Sequence, residues 1–337
     1  MSSRGRFPPR LLRIVGWSLG WLVLANVVVE RLNLHWWAAR THGPLTARVE
    51  EALDEDRKLD VLLIGSSHVQ TGLLPSVIEE ELRTELGREV GVYNLGTPGA
   101  SVDRSAALLD IVLRERAPEL VVLGLCPAEV IERAEMLELF YRDACPPSWA
   151  VREIVEGRVT TTEALRLNVR SFFRAPALPW QWALGRPGHD LDRQRARQHS
   201  GARVQRQRST RIGVAASTFR REVLRDYAVA ERHDRYLEEI VTLTGSHDVS
   251  LLVVRMPFSP HFTTLAFRER ENETFDDYLA TRRAELGIAC VDLDTPSYQP
   301  HHLDYLDGHH LMVDGARVVS RRLARRELAP RLSPDPG

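Results

Sequence analysis

Ser67 lies at a position where a serine can act as a nucleophile. It follows the apolar run LDVLLIG (59–65), which ends in a glycine and is typical of a strand buried on both faces of a parallel sheet. At the turn from such a strand into a helix, a serine projects from the top of the sheet beside free backbone N–H groups. That placement suits both a nucleophile and the oxyanion that it generates. The alternative is that Ser66 or Ser67 only caps the helix.

A second candidate group lies near the C-terminus, in the segment YLDGHHLMVDG, where Asp307 precedes His310 by one helical turn. A carboxylate at that spacing can accept a hydrogen bond from the imidazole and fix its tautomer. The other ring nitrogen is then left to take a proton from a serine. His309 could be the histidine instead, and a pair of solvated surface histidines is the other alternative. His68 adjoins Ser67, but adjacent residues at the start of a helix point in different directions, so we expect the proton acceptor to be distant in sequence.

A metal site is a further alternative for the same region. Two adjacent histidine pairs are awkward for tetrahedral ligation, and the three cysteines form no CxxC pair. We therefore expect neither a metal nor another cofactor. The candidate ligands are His301, His302, Asp304, Asp307, His309 and His310.

Strand-length apolar runs alternate with helical patterns along the chain. Such alternation specifies a doubly wound α/β fold, whose sites lie at the carboxyl ends of the strands. We therefore predict a three-layer α/β/α sandwich around a central parallel sheet of about five strands. The predicted strands are 59–65, 90–96, 119–125, 249–257 and 287–294. The predicted helices are 74–86, 103–115, 233–245, 275–286 and a last one that begins near Asp314 as its N-cap.

The N-terminal segment has the features of a membrane anchor. An arginine-rich stretch precedes an apolar run from Ile14 to Val29, and Trp36 and Trp37 follow it. A basic flank, a hydrophobic segment and an aromatic belt indicate a transmembrane helix whose basic end stays in the cytoplasm. A cleaved signal peptide and a buried core helix are the alternatives, but no convincing A-x-A cleavage site follows. We predict an uncleaved signal anchor at 11–31 in a bacterial inner membrane, with the rest of the chain periplasmic.

The segment between the third and fourth predicted strands differs in composition. It is rich in Pro and Trp and then in Arg, with no acidic residue from Arg193 to Arg221. A solvated basic loop is one interpretation; a lid, or a docking surface for lipid head groups or an acidic polysaccharide, is the other. The formal net charge of −1 argues against a nucleic-acid partner. We divide the chain into a cytoplasmic tail (1–10), the anchor (11–31), a connector (32–57), the α/β domain (58–144 and 226–329), an insertion (145–225) and a tail (330–337).

Three short motifs, in order, resemble the blocks of a known superfamily. They are a strand that ends in GSSH, the segment NLGTPG (Asn94–Gly99) and the late DGHH. This set is similar to the SGNH, or GDSL-type, hydrolases, and more closely to their membrane-anchored bacterial branch, which includes alginate O-acetyltransferase-like proteins and the teichoic-acid D-alanine transfer protein. The resemblance covers about residues 58–130 and 230–328.

The resemblance implies a role for each matching residue. Ser67 would be the nucleophile, His310 the base and Asp307 the residue that orients the base. The backbone N–H groups of Ser67 and Gly99 would form the oxyanion hole. The segment around Gly99 is also an ordinary turn before a helix N-cap at Ser101.

One block departs from the pattern. The superfamily ends its third block in GxND, whose Asn side chain is a further oxyanion donor, but this chain has Ala128 and Glu129 at those positions. The loss of one such donor typically costs about 10²–10³ in rate. The departure is more typical of the acyl-transfer branches than of an efficient hydrolase, and it is also compatible with a degenerate site.

The resemblance implies an extracytoplasmic O-acyltransferase or esterase that acts on a cell-envelope glycan. A sugar hydroxyl or water would resolve its acyl-enzyme. The expected partners are an acylated glycan or acyl donor and a membrane-bound O-acyltransferase. The alternative function is a non-catalytic, membrane-tethered module that binds glycan or scaffolds an envelope complex.

Overall fold

A sheet of five parallel strands, in the order β2-β1-β3-β4-β5, forms the centre of the molecule. The computed structural model describes residues 44–131, 197–204, 212–225, 227–295, 297–298 and 304–333, and a few single positions. The predicted parallel sheet is confirmed, because each predicted strand contains an observed one. The strands are β1 (Val61–Ile64), β2 (Val92–Asn94), β3 (Leu120–Leu125), β4 (Ser250–Arg255) and β5 (Ala289–Asp292).

Helices cover both faces of this sheet. In chain order they are α1 (Pro44–Ala52), α2 (Ser67–Gly72), α3 (Pro75–Leu86), α4 (Val102–Leu113), α5 (Ile212–Glu222), α6 (Glu231–Ser246), α7 (Pro260–Ala266), α8 (Glu269–Leu286), α9 (Val313–Leu323) and α10 (Ala329–Leu332). Apolar side chains of α1, α4, α6 and α8 share one core cluster. Those of α2, α3, α5, α7, α9 and α10 share the other. The described residues therefore form an α/β/α sandwich.

The continuous apolar run of β1 explains why its strand lies in the middle of this sandwich. Side chains alternate between the two faces of a strand. Accordingly, Leu62 and Ile64 belong to one core cluster, while Val61 and Leu63 belong to the other. All four side chains are fully buried, so β1 is held from both sides and the turn that follows it has a firm base.

The turn after β1 requires glycine. Gly65 has a φ of +142°, and a Cβ there would lie 2.6 Å from the carbonyl oxygen of Gly124 on β3. A side chain would therefore clash with the backbone of the neighbouring strand and would strain the local conformation. Gly65 allows the chain to leave the sheet sharply and begin α2 at Ser67.

Helix α9 packs against α2 and α3 and joins the C-terminal segment to this turn. The backbone N–H of Leu74 donates to Ser320 Oγ at 2.8 Å. The helix begins at Val313 with Met312 as its N-cap and no side-chain cap, so the prediction that Asp314 is the N-cap is wrong. Asp314 lies in the first turn instead, where a carboxylate interacts favourably with the helix dipole.

Two parts of the predicted insertion 145–225 pack on the α/β domain. In the first part, Arg197 forms ion pairs with Glu51 at 3.1 Å and Asp54 at 2.9 Å. In the second part, α5 contributes Phe219 to the core cluster of its face. The rest of the insertion lies outside the described residues.

The predicted cytoplasmic tail 1–10 and anchor 11–31 also lie outside the described residues, apart from Trp17 and Trp21, which are helical with exposed side chains. Among the residues that the structure describes, no helix is long and apolar enough to cross a bilayer. The anchor stays a prediction.

Candidate active site

Ser67, His310 and Asp307 form a continuous chain of hydrogen bonds. Nε2 of His310 lies 2.8 Å from Ser67 Oγ, and Nδ1 of His310 lies 2.9 Å from Asp307 Oδ2. Both distances are within the range for hydrogen bonds between these atoms. The side chains of Asp307 and His310 are each 20% exposed, and Ser67 is half-buried. The arrangement has the connectivity that general-base activation of a serine requires.

The backbone of the 305–311 loop fixes the Asp307–His310 pair. Oδ1 of Asp307 accepts the backbone N–H of His310 at 2.9 Å and that of His309 at 3.2 Å. Tyr305 and Leu311 form an antiparallel bridge that closes the loop. The carboxylate therefore organises the turn with one oxygen and orients the imidazole with the other.

The two adjacent serines after β1 have different contacts. Ser66 is the N-cap of α2, and its Oγ accepts the backbone N–H of His68 at 3.2 Å. Ser67 is the first residue of α2, and its Oγ contacts His310. The capping alternative thus applies to Ser66, whereas Ser67 is the serine adjacent to a histidine that can accept its proton.

The hydrogen bond from His310 keeps Asp307 charged, and burial keeps His309 neutral. Burial alone would raise the pKa of Asp307, but the hydrogen bond from His310 and the charges of the two histidines lower it below its ordinary value. Burial, reinforced by the charge of His310, lowers the pKa of His309 to about 3. His310 is the ring that contacts both a carboxylate and a serine.

His68 is buried against the pair of histidines. Its ring centroid lies 5.0 Å from that of His310, and the ring planes are 19° apart. Its Nδ1 lies 3.0 Å from Ser66 Oγ. Burial lowers the pKa of His68 well below its ordinary value, so the ring is neutral. His68 therefore contacts the other serine and stacks on the histidine that contacts Ser67.

Glu129, which occupies a position of the divergent third block, is buried beside Ser66 and His68, the two residues that flank Ser67. Its Oε2 accepts the backbone N–H of Cys126 at 2.8 Å, and Ser66 also hydrogen-bonds to its carboxyl group. Burial raises the pKa of Glu129 to about 8, although these hydrogen bonds act in the opposite direction. Its Oε1 lies 3.9 Å from Nδ1 of His68, but this contact is not an ion pair near pH 7 because burial keeps both groups neutral.

The burial of Glu129 and the stacking of His68 on His310 were not predicted from the sequence. Glu129 was considered only as a substitution in the motif, and the residues around it in sequence do not indicate that its side chain is buried. Its position just after β3, which pairs with β1, was the one feature that could have indicated a place near Ser67. Ala128, next to it, is half-buried and has no side-chain amide for an oxyanion.

The loop that carries Gly99 is attached to the end of β1. The backbone N–H of Thr97 donates to the carbonyl of Gly65 at 2.8 Å. A Cβ on Gly96 would lie 2.5 Å from the backbone nitrogen of Gln70 in α2, so glycine permits this close approach. Gly99 itself has a φ of +67°, which glycine adopts readily. The loop thus packs against α2 at Gly96, and the role of Gly99 as a second oxyanion donor stays a prediction.

Asn94, the first residue of the same motif, has a structural role. Its side-chain amide donates to the carbonyls of Val69 at 2.8 Å and Leu73 at 2.7 Å, and its Oδ1 accepts the N–H of Gly96 at 2.8 Å. Asn94 therefore joins the end of α2 to the loop of Gly99.

Among the described residues, which do not include His301 and His302, two groups of side chains have the spacing of metal ligands but fit a cation poorly. Ligand atoms of His68, His309 and His310 lie within 4.8 Å of one another, as do those of His68, Cys126 and Glu129. In the first group, both nitrogens of His310 already have hydrogen-bond partners. In the second, burial favours the protonated form of Glu129, which is a weak cation ligand.

Comparisons with known proteins find similarity only among solved structures. No protein-family model matches the chain, and no curated protein matches its sequence. A lipase/acylhydrolase from Enterococcus faecalis matches at 14% identity over 83% of this chain and 100% of its own, with a TM-score of 0.39. An alpha/beta hydrolase from the metagenome of Lake Arreo, Spain, matches at 13% identity over 82% and 98%, with a TM-score of 0.42.

A further match is an acetyl-xylooligosaccharide esterase from Geobacillus Stearmophilus, at 12% identity over 80% of this chain and 94% of its own, with a TM-score of 0.37. Each of these three neighbours is a hydrolytic enzyme by name. Each TM-score is below 0.5, so the function proposed below rests on the geometry of the site.

Proposed function

We propose that this protein is a serine-dependent enzyme that transfers or hydrolyses O-acyl groups, with Ser67 as nucleophile, His310 as general base and Asp307 as the residue that orients the base. The observation that carries the proposal is the hydrogen-bond chain of 2.8 Å and 2.9 Å through the two nitrogens of His310. In this chain an ionised carboxylate fixes the tautomer of a histidine whose other nitrogen contacts a serine.

The reaction follows from these contacts. Nε2 of His310 takes the proton of Ser67 as Oγ attacks the acyl carbonyl, and Asp307 stabilises the imidazolium that forms. The backbone N–H groups of Ser67 and Gly99 stabilise the oxyanion. His310 then returns the proton to the leaving oxygen, which yields an acyl-enzyme. A sugar hydroxyl or water, activated by the same histidine, attacks the acyl-enzyme and releases Ser67.

We further propose that the acyl group is exchanged with a cell-envelope glycan outside the bacterial inner membrane. The support comes from the sequence: the N-terminal pattern of a signal anchor, and motifs that resemble a membrane-anchored branch of the SGNH hydrolases. A membrane-bound O-acyltransferase would supply the acyl group, and its co-purification with the full chain from detergent would test that partner.

Labelling with a fluorophosphonate probe tests the nucleophile. The wild-type protein should be labelled and should hydrolyse p-nitrophenyl acetate, whereas Ser67→Ala should do neither. Ser246→Ala is a matched control, because Ser246 is an exposed serine at the end of α6 whose hydroxyl contacts only the neighbouring carbonyl of Leu243 and the ring of His247. Undiminished labelling of a folded Ser67→Ala variant would reject Ser67 as the nucleophile.

The non-catalytic alternative is favoured by one observation, the replacement of the amide donor of the third block by Ala128. A tethered glycan-binding module predicts no labelling of the wild-type protein at any serine. It also predicts that the wild-type protein leaves the ester of an acylated glycan oligomer intact, whereas the enzyme predicts loss of the acyl group with wild type but not with Ser67→Ala. The two functions therefore give opposite results for the wild-type protein in both experiments.

A further inference from the structure

Arginines line a surface cleft near the end of α5. The cleft has a volume of about 580 Å³ and lies between residues 220–228 and the first turns of α8. Half of its lining residues are arginines that come from two distant parts of the sequence: Arg220, Arg221, Arg225, Arg268 and Arg270. Glu271 is the acidic residue among them.

Three of the five arginines of this cleft have no ion-pair partner among the described residues. Arg221 pairs with Glu222 at 3.1 Å, but no carboxylate in the described part of the chain lies within ion-pair distance of Arg220, Arg268 or Arg270. Glu271 is buried, and its carboxylate accepts the backbone N–H of Arg268 as part of the capping of α8. Its acceptor capacity is therefore partly used by the backbone.

This concentration of charge is not a reflection of overall composition, because the chain has a formal net charge of −1. Like charges repel, so gathering several guanidinium groups around one concave surface costs free energy unless an anion binds there. Arginine also presents a planar fork of donors that matches oxyanions in a bidentate manner. The cleft therefore has the character of an anion-binding site.

We propose that the cleft binds a phosphate ester. A phosphate ester with about −1.5 to −2 charge and three acceptor oxygens can bind several guanidinium groups at once, whereas a carboxylate has one charge and two oxygens. The volume falls within the range of roughly 300–1,000 Å³ typical of small-ligand sites. It has room for an organic group beside the phosphate, such as a sugar or glycerol.

Aromatic side chains separate the cleft from the candidate active site. Phe219, next to Arg220, lies 5.5 Å from the ring of His309, and Phe267, next to Arg268, lies 5.7 Å from the ring of Phe219. The cleft and the Ser67 site thus border the same aromatic cluster from different sides. Phosphate binding is measured without any reaction, so the proposal does not depend on the activity of Ser67.

Calorimetric titration of the full chain in detergent tests the proposal. Glucose 1-phosphate should bind, and glucose and glucuronate should not. The double variant Arg220→Gln/Arg268→Gln should bind glucose 1-phosphate at least about tenfold more weakly, as expected for the loss of charged hydrogen bonds. Arg317→Gln is the matched control, because Arg317 is an exposed arginine on α9 that pairs with Asp314.

Short-chain phosphatidic acid, compared with phosphatidylcholine of the same chain length, distinguishes the source of the phosphate. Binding of the phosphatidic acid that is lost in the double variant identifies a lipid head group as the ligand; binding of glucose 1-phosphate alone identifies a soluble ester. Absence of binding by all phosphate compounds would overturn the proposal. Equal binding of glucuronate, or equal weakening by Arg317→Gln, would also overturn it.

Discussion

His68 lies nearly parallel to His310, with ring centroids 5.0 Å apart and planes at 19°. His68 is neutral and buried, and its Nδ1 contacts Ser66 rather than Ser67. A rigid ring against one face of His310 limits the orientations that His310 can adopt relative to Ser67. We infer that His68 acts as a positioning residue rather than as a base.

Replacement of His68 by Ala should lower kcat on p-nitrophenyl acetate by about tenfold or more while KM changes little, because a poorly oriented base slows the chemical step. Phe at this position should restore much of kcat by restoring the stacked ring. Steady-state kinetics would check both variants, with the exposed His247→Ala as control. A folded His68→Ala protein with the kcat of wild type would show that stacking does not position His310.

Replacement of Asp307 by Asn should lower kcat by roughly 10⁴, the size of effect seen when a triad histidine loses its correct tautomer. The same change should alter acid stability. The pKa of Asp307 is below its ordinary value, so its carboxylate stabilises the fold above pH 3.8 and this contribution is lost as the pH falls further. Thermal melts between pH 5 and pH 2 should therefore show a smaller loss of Tm on acidification in Asp307→Asn than in wild type, with the difference appearing below pH 3.8. If Tm falls equally with pH in the two proteins, Asp307 does not have the lowered pKa assigned to it.

Replacement of Glu129 by Gln should flatten the dependence of stability on pH above neutrality. The pKa of Glu129 is raised from 4.5 to about 8, so the folded state holds a proton that the unfolded chain releases. Stability of the wild type is therefore lost as the pH rises from 4.5 to about 8. The free energy of unfolding of Glu129→Gln relative to wild type should rise by a few kcal/mol between pH 5 and pH 8.5. Denaturant titrations at the two pH values would measure this difference.

The exposed pair Arg88 and Glu119 supplies the control for that experiment. Glu119→Gln removes a carboxylate from the surface, where the pair is worth little, and should show no comparable relative stabilisation at high pH. A Glu129→Gln protein that behaves like Glu119→Gln would mean that Glu129 is ionised in the folded state.

Introduction of Asn at Ala128 should raise the rate of ester hydrolysis, because it supplies a side-chain amide at the motif position that donates to the oxyanion. A gain of about tenfold or more in kcat is expected if the amide reaches the oxyanion. Ala128→Ser, a smaller polar change, is the control. A folded Ala128→Asn protein with unchanged kcat would show that the third block has lost its catalytic contribution by more than one substitution.

Much of the fold could be predicted from local patterns in the sequence. The five strands are short, mainly apolar runs, of which β1, β2 and β3 are buried along their whole length, and helices such as α3 and α6 show clear amphipathic periodicity. These patterns depend on residues that are close in sequence, so they can be recognised without a structure. Helix boundaries were less certain: Asp314 was expected at the cap of α9, but the cap is Met312, because the backbone of the preceding loop decides where the helix begins.

Only part of the candidate site could be predicted from such local patterns. Ser67, Asp307 and His310 are recognisable because their residue types and short spacings match the chemistry of acyl transfer. The sequence alone favoured Ser67 and His310, but it left open that this serine only caps the helix and that His309 is the histidine. Packing of α9 against α2 and α3 distinguishes among them, since it brings the 305–311 loop to Ser67 and leaves Ser66 as the cap.

The remaining features depend on contacts between distant segments. Glu129 has a raised pKa because β3 and α2 bury it, and nothing in its own segment indicates that burial. The arginine cleft unites residues 220–225 with residues 268–270, which only the tertiary structure brings together. The sequence by itself determined the order of the secondary structure and the types of the reactive groups. The tertiary structure decided their partners and ionisation, because burial and long-range contacts are properties of the packed chain.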